Sequence, residues 1–394
     1  MNDIWEKELE DLLNEDISSV REREQTAFDR LVSPFGNSIV LFGAGSLGRQ
    51  AVARLRQDGI EPLAFVDNNP MAWGKTVDGI DIFSPQDAAV KFGQQAAFIV
   101  TIRSHESQHR FAETKRKLLD LGCSKVVSFV PLLWQYPETF LPNYYLDLPS
   151  KIFLHADKVR AGLRLLEEDF SRKTYLTQLR WRILEDYDDL PTKSDDTQYI
   201  PKGIFSFTEN EVFIDCGAFD GDTVRLFLSQ CQDTFSHIYA FEPDNINFRN
   251  LQNFLSTLPQ KITSKITILP VAVGARTTKL KFTTTGTASS MVSAVGDIEI
   301  EIITLDNLLS NVKPTYIKMD IEGAESDAIS GATKIIQGAT PVLAICAYHQ
   351  QSHIWDIPLL IHSISSEYQL FLRAHEDEGW ELVYYAIPTQ RLKV

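Results

Sequence analysis

Apolar runs with the length of β-strands alternate with helical stretches in two separate parts of this 394-residue chain. The first part extends from about Ser38 to Pro131, and the second begins at Glu211. Strands that are separated by helices and short loops pair in parallel, so each part predicts a doubly wound parallel sheet. The length is also too great for one ordinary core, which agrees with an α/β protein of two domains.

The segments outside this alternation complete the predicted organisation. Residues 1–35 carry apolar positions at helical spacing and have no Gly or Pro before Pro34, so they predict N-terminal helices. Residues 36–131 are predicted to form a Rossmann-like nucleotide-binding domain. Residues 132–205 begin rich in proline and aromatic side chains and then become strongly helical, which predicts a helical connector. Residues 206–394 are predicted to form the second α/β domain.

Composition and charge exclude several classes of partner. A net charge of −15 argues against a broad surface for nucleic acid or anionic membrane. The N-terminus is acidic, and no apolar run approaches the ~18 residues that a membrane span needs, so we expect a cytoplasmic protein. The cysteine spacing contains no zinc motif, and we expect buried free thiols at Cys123, Cys216, Cys231 and Cys346.

The first α/β part opens with IVLFGAGSLG, in which Gly43, Gly45 and Gly48 follow a strand and open a helix. Asp67 ends the next strand at about the distance expected of an acid that binds ribose hydroxyls. The pattern predicts a dinucleotide-type turn; the alternative is a packing turn in a domain that has lost its ligand. His105 and His109 could serve hydride transfer, but a solvated surface is the simpler interpretation of both.

The sequence after Asp67 favours a particular kind of ligand. It contains DNNP, then GK, then GIDIFSP, and residues 38–130 thereby resemble the N-terminal Rossmann-like domains of sugar-nucleotide-modifying enzymes, including bacterial sugar acyltransferases. The resemblance implies that the glycine turn faces a nucleotide-sugar or a nucleotide diphosphate and does not serve hydride transfer.

The second α/β part opens with a different turn, DCGAFDGDT at residues 215–223. It lacks G-x-G and places its acid, Asp215, before the glycines. This variation suits S-adenosylmethionine, which carries no diphosphate, because the backbone can approach the methionine part and the acid can address its ammonium. Glu242 ends the next strand and is then placed to accept both ribose hydroxyls.

Residues 205–350 contain five motifs that occur in the order VFIDCGAFDGDT, IYAFEPD, PVAVG, ITLDNLL and YIKMDIEGAE. In these motifs the segment resembles the FkbM-type methyltransferases. These are class I, adenosylmethionine-dependent enzymes that mostly methylate oxygen. The resemblance implies a seven-stranded sheet whose last two strands form an antiparallel pair. Carried over residue by residue, it implies cofactor-binding positions at Asp215, Gly217, Gly221, Thr223, Glu242, Asn245, Asn247 and Ala272.

Charged residues at the end of a later strand predict where chemistry occurs. Charges at the carboxyl end of a sheet are usually functional, so we expect Asp320 and Glu322 to border the methyl-transfer centre, with Lys318 pairing one of them. The alternative is an ion-paired strand end, with Glu325 assisting a helix N-terminus.

His349 follows the next strand, in the sequence CAYH, which departs partly from the acidic residue and His that the family often has there. The ordinary pKa of imidazole suits removal of a proton from a hydroxyl acceptor. Alternatively, His349 only caps the loop, or it holds a divalent cation together with Asp320 and Glu322. The small, polar stretch at residues 283–294 is either an acceptor-binding lip or an exposed hairpin.

These observations predict an adenosylmethionine-dependent methyltransferase, acting on a hydroxyl of a small molecule or glycan. The N-terminal domain would bind a nucleotide-linked ligand that presents the acceptor. Two other classes stay open. In an NAD-dependent sugar-nucleotide oxidoreductase the first glycine turn would do the chemistry, and a non-catalytic sensor would bind a nucleotide or adenosylmethionine without turnover.

Overall fold

A computed structural model describes residues 2–102, 110–187, 190, 194, 196–201, 203–232, 234–283, 291–292 and 298–393. His105 and His109 lie outside the described residues, as does most of the stretch at 283–294.

The helices of the described residues are α1 (Asn2–Leu13), α2 (Ile17–Val32), α3 (Ser46–Gln57), α4 (Pro85–Phe92), α5 (Phe111–Asp120), α6 (Val130–Gln135), α7 (Pro137–Phe140), α8 (Pro149–Leu154), α9 (Ala156–Arg164), α10 (Asp169–Leu184), α11 (Asp222–Cys231), α12 (Asn245–Ser256), α13 (Gln260–Thr263), α14 (Leu305–Leu308), α15 (Glu325–Ser330), α16 (Thr333–Ala339) and α17 (His353–Ile364). Short 3-10 turns occur at Pro70–Ala72 and Thr389–Arg391.

The strands are β1 (Ile39–Phe42), β2 (Ala64–Val66), β3 (Thr76–Val77), β4 (Ile80–Phe83), β5 (Ala97–Val100), β6 (Val126–Ser128), β7 (Val212–Cys216), β8 (His237–Phe241), β9 (Ile266–Leu269), β10 (Ala272–Val273), β11 (Thr278–Thr283), β12 (Met291–Val292), β13 (Ile298–Ile303), β14 (Tyr316–Met319), β15 (Val342–Cys346), β16 (Tyr368–Ala374) and β17 (Leu382–Pro388).

The first sheet has the strand order β3-β4-β2-β1-β5-β6. Its strands are parallel except for β3, which forms a short antiparallel hairpin with β4. The central strands β1, β2 and β5 are buried at every position, as expected of strands covered by helices on both faces. The predicted Rossmann-like, doubly wound arrangement is therefore confirmed.

The second sheet has the order β16-β17-β15-β14-β7-β8-β9. Only β17 runs against its neighbours, pairing antiparallel with both β15 and β16. This is the seven-stranded sheet that the resemblance implied. Strand order reverses between β7 and β14, so the carboxyl ends of these two strands form the crevice in which such sheets bind ligands.

The strands between β9 and β14 in the sequence form a separate four-stranded sheet, with the order β10-β13-β11-β12. The described strands β10 to β13 thus form a layer of their own, in which they pair with one another and not with the strands of the second sheet. Gly274 marks how closely this layer packs, because a Cβ there would lie 2.8 Å from the Ile302 side chain.

The N-terminal and connector helices pack together. Helix α1 packs on α9 and α10, α2 packs on α6 and α8, and α10 packs on strand β16 of the second sheet. Helix α10 is buried along most of its length, including the large side chains of Tyr175, Trp181 and Arg182. Helix α10 of the connector segment therefore contributes to the core of the second α/β unit.

A direct contact joins the first α/β unit to the loop between β16 and β17. Arg110 donates two hydrogen bonds to the Asp377 carboxylate, each 2.7 Å long. The backbone N–H of Phe111 donates to Glu378, and the Phe111 ring lies 4.6 Å from that of Tyr187.

The four cysteines are free thiols, of which Cys123, Cys216 and Cys346 are buried and Cys231 is half-buried. Among the described residues, no helix combines the length and apolar character that crossing a membrane requires.

Candidate active site

The turn after β7 depends on glycine. Gly217 has φ +80°, and a Cβ on it would lie 1.9 Å from the carbonyl oxygen of Asp320. The N–H groups of Gly217 and Ala218 both donate to the Phe241 carbonyl, at 3.0 and 2.9 Å. Gly221, with φ +91°, then leads into α11. The turn is thus fixed between the ends of β8 and β14, with no room for a side chain at Gly217.

Glu242 follows β8 and holds this turn from the other side. Its Oε2 accepts the N–H of Phe219 at 2.9 Å, and its Oε1 accepts the N–H of Asp244 at 2.8 Å. Burial raises the pKa of Glu242 to about 7, against the effect of these two hydrogen bonds. Phe219 itself has φ +47°, an unusual conformation for a residue other than glycine. A carboxylate is therefore held directly against the turn.

A buried ion pair supports the turn from below. Lys318 Nζ lies 3.1 Å from Asp215 Oδ1, and neither side chain is more than 2% exposed. Lys318 also donates to the carbonyl of Gly217 at 2.6 Å. Burial lowers the pKa of Lys318, but the nearby carboxylates, Asp215 first, outweigh it and hold the pKa above its ordinary value. The pairing of Lys318 with Asp320 or Glu322 was therefore predicted wrongly: in the structure its partner is Asp215.

The remaining cofactor positions are distributed around this turn. Thr223 is buried in the first turn of α11, and Asn247 is buried in the first turn of α12, next to Asn245. Ala272 lies in β10, on the separate four-stranded sheet. Asp215, Gly217, Gly221, Thr223 and Glu242 thus lie together, whereas Ala272 belongs to the neighbouring layer.

A second polar cluster surrounds Asp320, directly after β14. Oδ2 accepts the hydroxyl of Tyr199 at 2.8 Å. Oδ1 lies 3.2 Å from the Tyr348 hydroxyl and 3.4 Å from His349 Nε2. The Tyr348 hydroxyl is equally within reach of Glu381 Oε1, at 3.1 Å. Asp320 is therefore surrounded by donors that come from two different parts of the chain.

His349 lies between carboxylates on both sides of its ring. Nδ1 is 2.8 Å from Glu325 Oε1, and Nε2 faces Asp320 and Glu322. Burial lowers the pKa of His349, but these carboxylates, Glu325 first, outweigh it and raise the pKa to about 10. At neutral pH the ring is an imidazolium without a lone pair. This charge state does not fit the proton-accepting role that the sequence suggested for His349.

Glu322 occupies a strained position beside this histidine. Its φ is +54°, and its Oε1 lies 3.7 Å from His349 Nε2. Oε2 is buried and has no hydrogen-bond partner among the described residues. Burial raises the pKa of Glu322 to about 7, while His349 acts in the opposite direction. The side chain as a whole is 17% exposed, although Oε2 itself is buried.

The cluster was also tested as a metal centre. Ligand atoms of Asp320, Glu325 and His349 lie within 4.8 Å of one another. However, Glu325 Oε1 already accepts the N–H groups of Ile321 at 2.9 Å and Gly323 at 3.4 Å, in addition to facing His349. Without a cation, these contacts form an ion-pair network around His349.

Tyr199 is the part of the site that sequence reasoning missed. It lies in a polar stretch of the predicted connector, yet it is only 7% exposed. Its backbone has φ +63°, and its N–H and carbonyl bond to the hydroxyls of Tyr385 and Tyr316. The signal available in the sequence was an aromatic residue within an otherwise polar segment.

Aromatic side chains of the connector line one side of the polar cluster around Asp320. The ring of Tyr144 lies 6.2 Å from His349 and 5.0 Å from Trp380. Trp380 in turn lies 5.9 Å from Tyr348 and 5.1 Å from Tyr145. The connector thus supplies apolar surface beside the charged groups.

The glycine turn of the first sheet also brings its predicted residues together. Gly43 has φ +120°, and a Cβ on Gly48 would lie 2.0 Å from the Gly43 carbonyl oxygen. Gly45 is exposed at the start of α3 and has no atom within 4 Å of a Cβ position. Asp67 Oδ2 accepts the N–H of Ala44 at 3.3 Å. Asp67 therefore accepts a hydrogen bond from the backbone of the turn, as Glu242 does in the second unit.

Comparison with known proteins shows what the second unit is similar to. Residues 215–376 match the model of the methyltransferase FkbM domain. The crystal structure of the methyltransferase FkbM from Methylobacillus flagellatus KT matches 98% of this chain and 99% of its own, with 23% identity and a TM-score of 0.77. That match extends the shared fold to the N-terminal unit and the connector.

Two further solved structures match shorter parts. UDP-D-quinovosamine 4-dehydrogenase from Vibrio fischeri covers 23% of this chain and 75% of its own, at 25% identity and a TM-score of 0.20. Precorrin-6y C5,15-methyltransferase from Geobacter metallireducens GS-15 covers 46% and 80%, at 9% identity and a TM-score of 0.29. No curated protein sequence matches the chain. The match of residues 215–376 and the seven-stranded sheet together show that this part of the chain is similar to the methyltransferase FkbM domain.

Proposed function

We propose that the protein is an S-adenosylmethionine-dependent methyltransferase that methylates a hydroxyl group of a sugar, a glycan or a secondary metabolite. One observation carries the proposal. The glycine turn held by Glu242 and the polar cluster around Asp320 occupy the same edge of the sheet, on either side of the point where strand order reverses. Gly217 touches Asp320 directly, so a cofactor at the turn would lie beside the cluster.

The residues around the turn fit this cofactor. When bound, adenosylmethionine supplies an electrophilic methyl group on a sulfonium. Gly217 lets the backbone come close to a ligand, and Glu242 offers carboxylate oxygens at the end of β8 where ribose hydroxyls bind in such sheets. Asp215 is fully buried against Lys318, so its role in this proposal is to stabilise the turn and not to address an ammonium group.

The cluster around Asp320 supports a hydroxyl acceptor. Methylation of a hydroxyl releases a proton, and buried carboxylates near the reacting oxygen can receive it. The ring of Tyr144, which is half-buried and packs against the buried Trp380, offers apolar surface for a sugar ring or an aromatic metabolite. Holding the acceptor and the methyl group in line provides most of the rate gain in such transfers.

The N-terminal unit would bind a nucleotide-linked ligand. The exposed Gly45 precedes the twelve-residue helix α3, whose first N–H groups have no partner within the helix, and Asp67 lies against the preceding turn. Because Arg110 of this unit contacts the loop that also carries Trp380, a ligand bound there would be linked structurally to the acceptor side of the second unit.

Calorimetric titration of the full-length protein tests the proposal. We expect adenosylmethionine to bind, Glu242→Gln to weaken this binding at least tenfold, and Asp67→Asn to leave it unchanged. A screen of methyl glycosides, nucleotide-sugars and phenols with labelled cofactor then identifies the acceptor. Heat from NAD that is lost only in Asp67→Asn, with none from adenosylmethionine, would instead support the oxidoreductase. Cofactor binding without turnover of any acceptor would support the sensor.

A further inference from the structure

Glu322 combines an oxygen that has no hydrogen-bond partner in the described part of the chain with a partly exposed side chain. Asp215 and Glu325 also have such oxygens, but both side chains are fully buried: Asp215 is paired with Lys318, and Glu325 Oε2 lies 3.4 Å from His353 Nδ1. Glu322 Oε2 is buried with no hydrogen-bond donor among the described residues. An unpaired buried oxygen destabilises the fold, so such a group in a site points to a donor that arrives with a ligand.

The neighbouring groups are already occupied. The Asp320 carboxylate accepts hydrogen bonds from the hydroxyls of Tyr199 and Tyr348, and it also faces His349 Nε2. Glu325 is fully buried and accepts two backbone N–H groups and His349. His349 faces carboxylates from both ring nitrogens and carries a proton on each. Among these groups, Glu322 alone has both an oxygen without a hydrogen-bond partner in the described residues and a partly exposed side chain.

We propose that Glu322 is the group that removes the proton from the acceptor hydroxyl, and that His349 is the positioning residue that orients it. This inference rests on the proposed methyl transfer. The acceptor O–H bond breaks and its proton goes to Glu322 Oε2, while the oxygen electron pair forms the bond to the methyl carbon. The carbon–sulfur bond breaks with its electron pair remaining on sulfur, so the sulfonium becomes a neutral thioether. The proton then leaves Glu322 to solvent.

The surroundings set the charge of Glu322. Four ionisable groups face it: His349 after β15, Asp320 after β14, Glu325 of α15, and Glu381 before β17. Burial raises the pKa to about 7 and the three carboxylates act in the same direction, whereas the imidazolium lowers it. A base whose pKa lies near the working pH combines a useful ionised fraction with a useful affinity for the proton.

The backbone explains how the side chain is aimed. Glu322 has φ +54° and is followed by Gly323 with φ +99°, so the chain turns sharply after β14. Glu325 fixes this turn by accepting the N–H groups of Ile321 and Gly323. Strain of this kind in a residue other than glycine is typical of functional sites. The same Glu325 holds His349, so one acid positions both the base and its cationic neighbour.

The first experiment needs no acceptor. The full-length protein is labelled with ¹³C at the glutamate carboxyl carbons, and the resonance that Glu322→Gln removes is followed against pH. We expect a midpoint near 7. His349→Gln should raise this midpoint by about one unit or more, since a close opposite charge lowers an acid's pKa by that much. The control His353→Gln, which faces Glu325 and not Glu322, should leave it unchanged.

The second experiment uses the acceptor from the screen. Glu322→Gln should lower kcat at least about 100-fold, as loss of a general base does, with adenosylmethionine affinity retained. Wild-type kcat/KM should rise with pH through about 7. A Glu322 midpoint in the ordinary range of glutamate, or a Glu322→Gln variant within threefold of wild-type kcat, overturns the proposal. Absence of adenosylmethionine binding in the wild type overturns the proposed function instead.

Discussion

Replacing Gly217 with alanine tests whether the cofactor turn and the end of β14 form one unit. A Cβ at this position would lie 1.9 Å from the Asp320 carbonyl oxygen, 3.0 Å from its carbonyl carbon and 3.3 Å from the Ile321 side chain. The closest of these atoms is backbone and cannot rotate away. The substitution also forces alanine to adopt φ +80°.

The magnitude follows from these two effects. A left-handed conformation costs a residue other than glycine about 1–2 kcal/mol. Overpacking that shifts the backbone typically costs about 1–3 kcal/mol more. The sum is roughly 2–5 kcal/mol, and at about 2–4 °C per kcal/mol for a unit of this size the melting temperature should fall by roughly 4–20 °C.

Scanning calorimetry and cofactor titration measure the result. Gly338→Ala is the matched control, because it lies in α16 of the same unit, has open space around its Cβ position and should be neutral or slightly stabilising. We expect Gly217→Ala to lose stability and adenosylmethionine affinity together. A Gly217→Ala protein that melts within 1–2 °C of wild type and binds the cofactor normally would refute the close contact with Asp320.

Three further outcomes are expected. Lys318→Met should destabilise the protein by about 3–5 kcal/mol in denaturant titrations, because Asp215 is left as an unpaired buried charge, and adding Asp215→Asn should restore most of the loss. A double-mutant cycle on Arg110 and Asp377 should give a coupling of no more than about 1 kcal/mol that weakens with salt, since Arg110 is 40% exposed. Tyr199→Phe should lower kcat/KM roughly tenfold without changing cofactor affinity, because a hydrogen bond to a carboxylate is lost; an unchanged kcat/KM would contradict its place in the site.

Much of the fold could be predicted because it depends on sequence patterns between residues that are close along the chain. Alternating apolar runs and helices fix parallel sheets, and the two glycine turns mark where each sheet begins. The turns were recognisable because their chemistry is local: a positive φ at Gly43 and Gly217 requires glycine wherever the chain goes next. The acids that close on them, Asp67 and Glu242, end the adjacent strands and were placed by the same logic.

The pairing of the buried charges could not be predicted in this way. Lys318 was assigned to Asp320 or Glu322 because these are neighbours in sequence, but its partner Asp215 is opposite it on the adjacent parallel strand. Strand pairing brings residues together that are about a hundred positions apart. The charge of His349 has the same origin, since its pKa depends on carboxylates that only the folded loop after β14 places around it.

The sequence by itself determined the two α/β units, the glycine turns and the family resemblance, because each depends on residues close together along the chain. The tertiary structure decided which ionisable groups are paired, which are protonated and which remain available. It brought Tyr199 from the connector to Asp320 and placed an imidazolium where a base had been predicted. Proton affinity depends on burial and on charges within a few ångströms, and those distances exist only after the chain has folded.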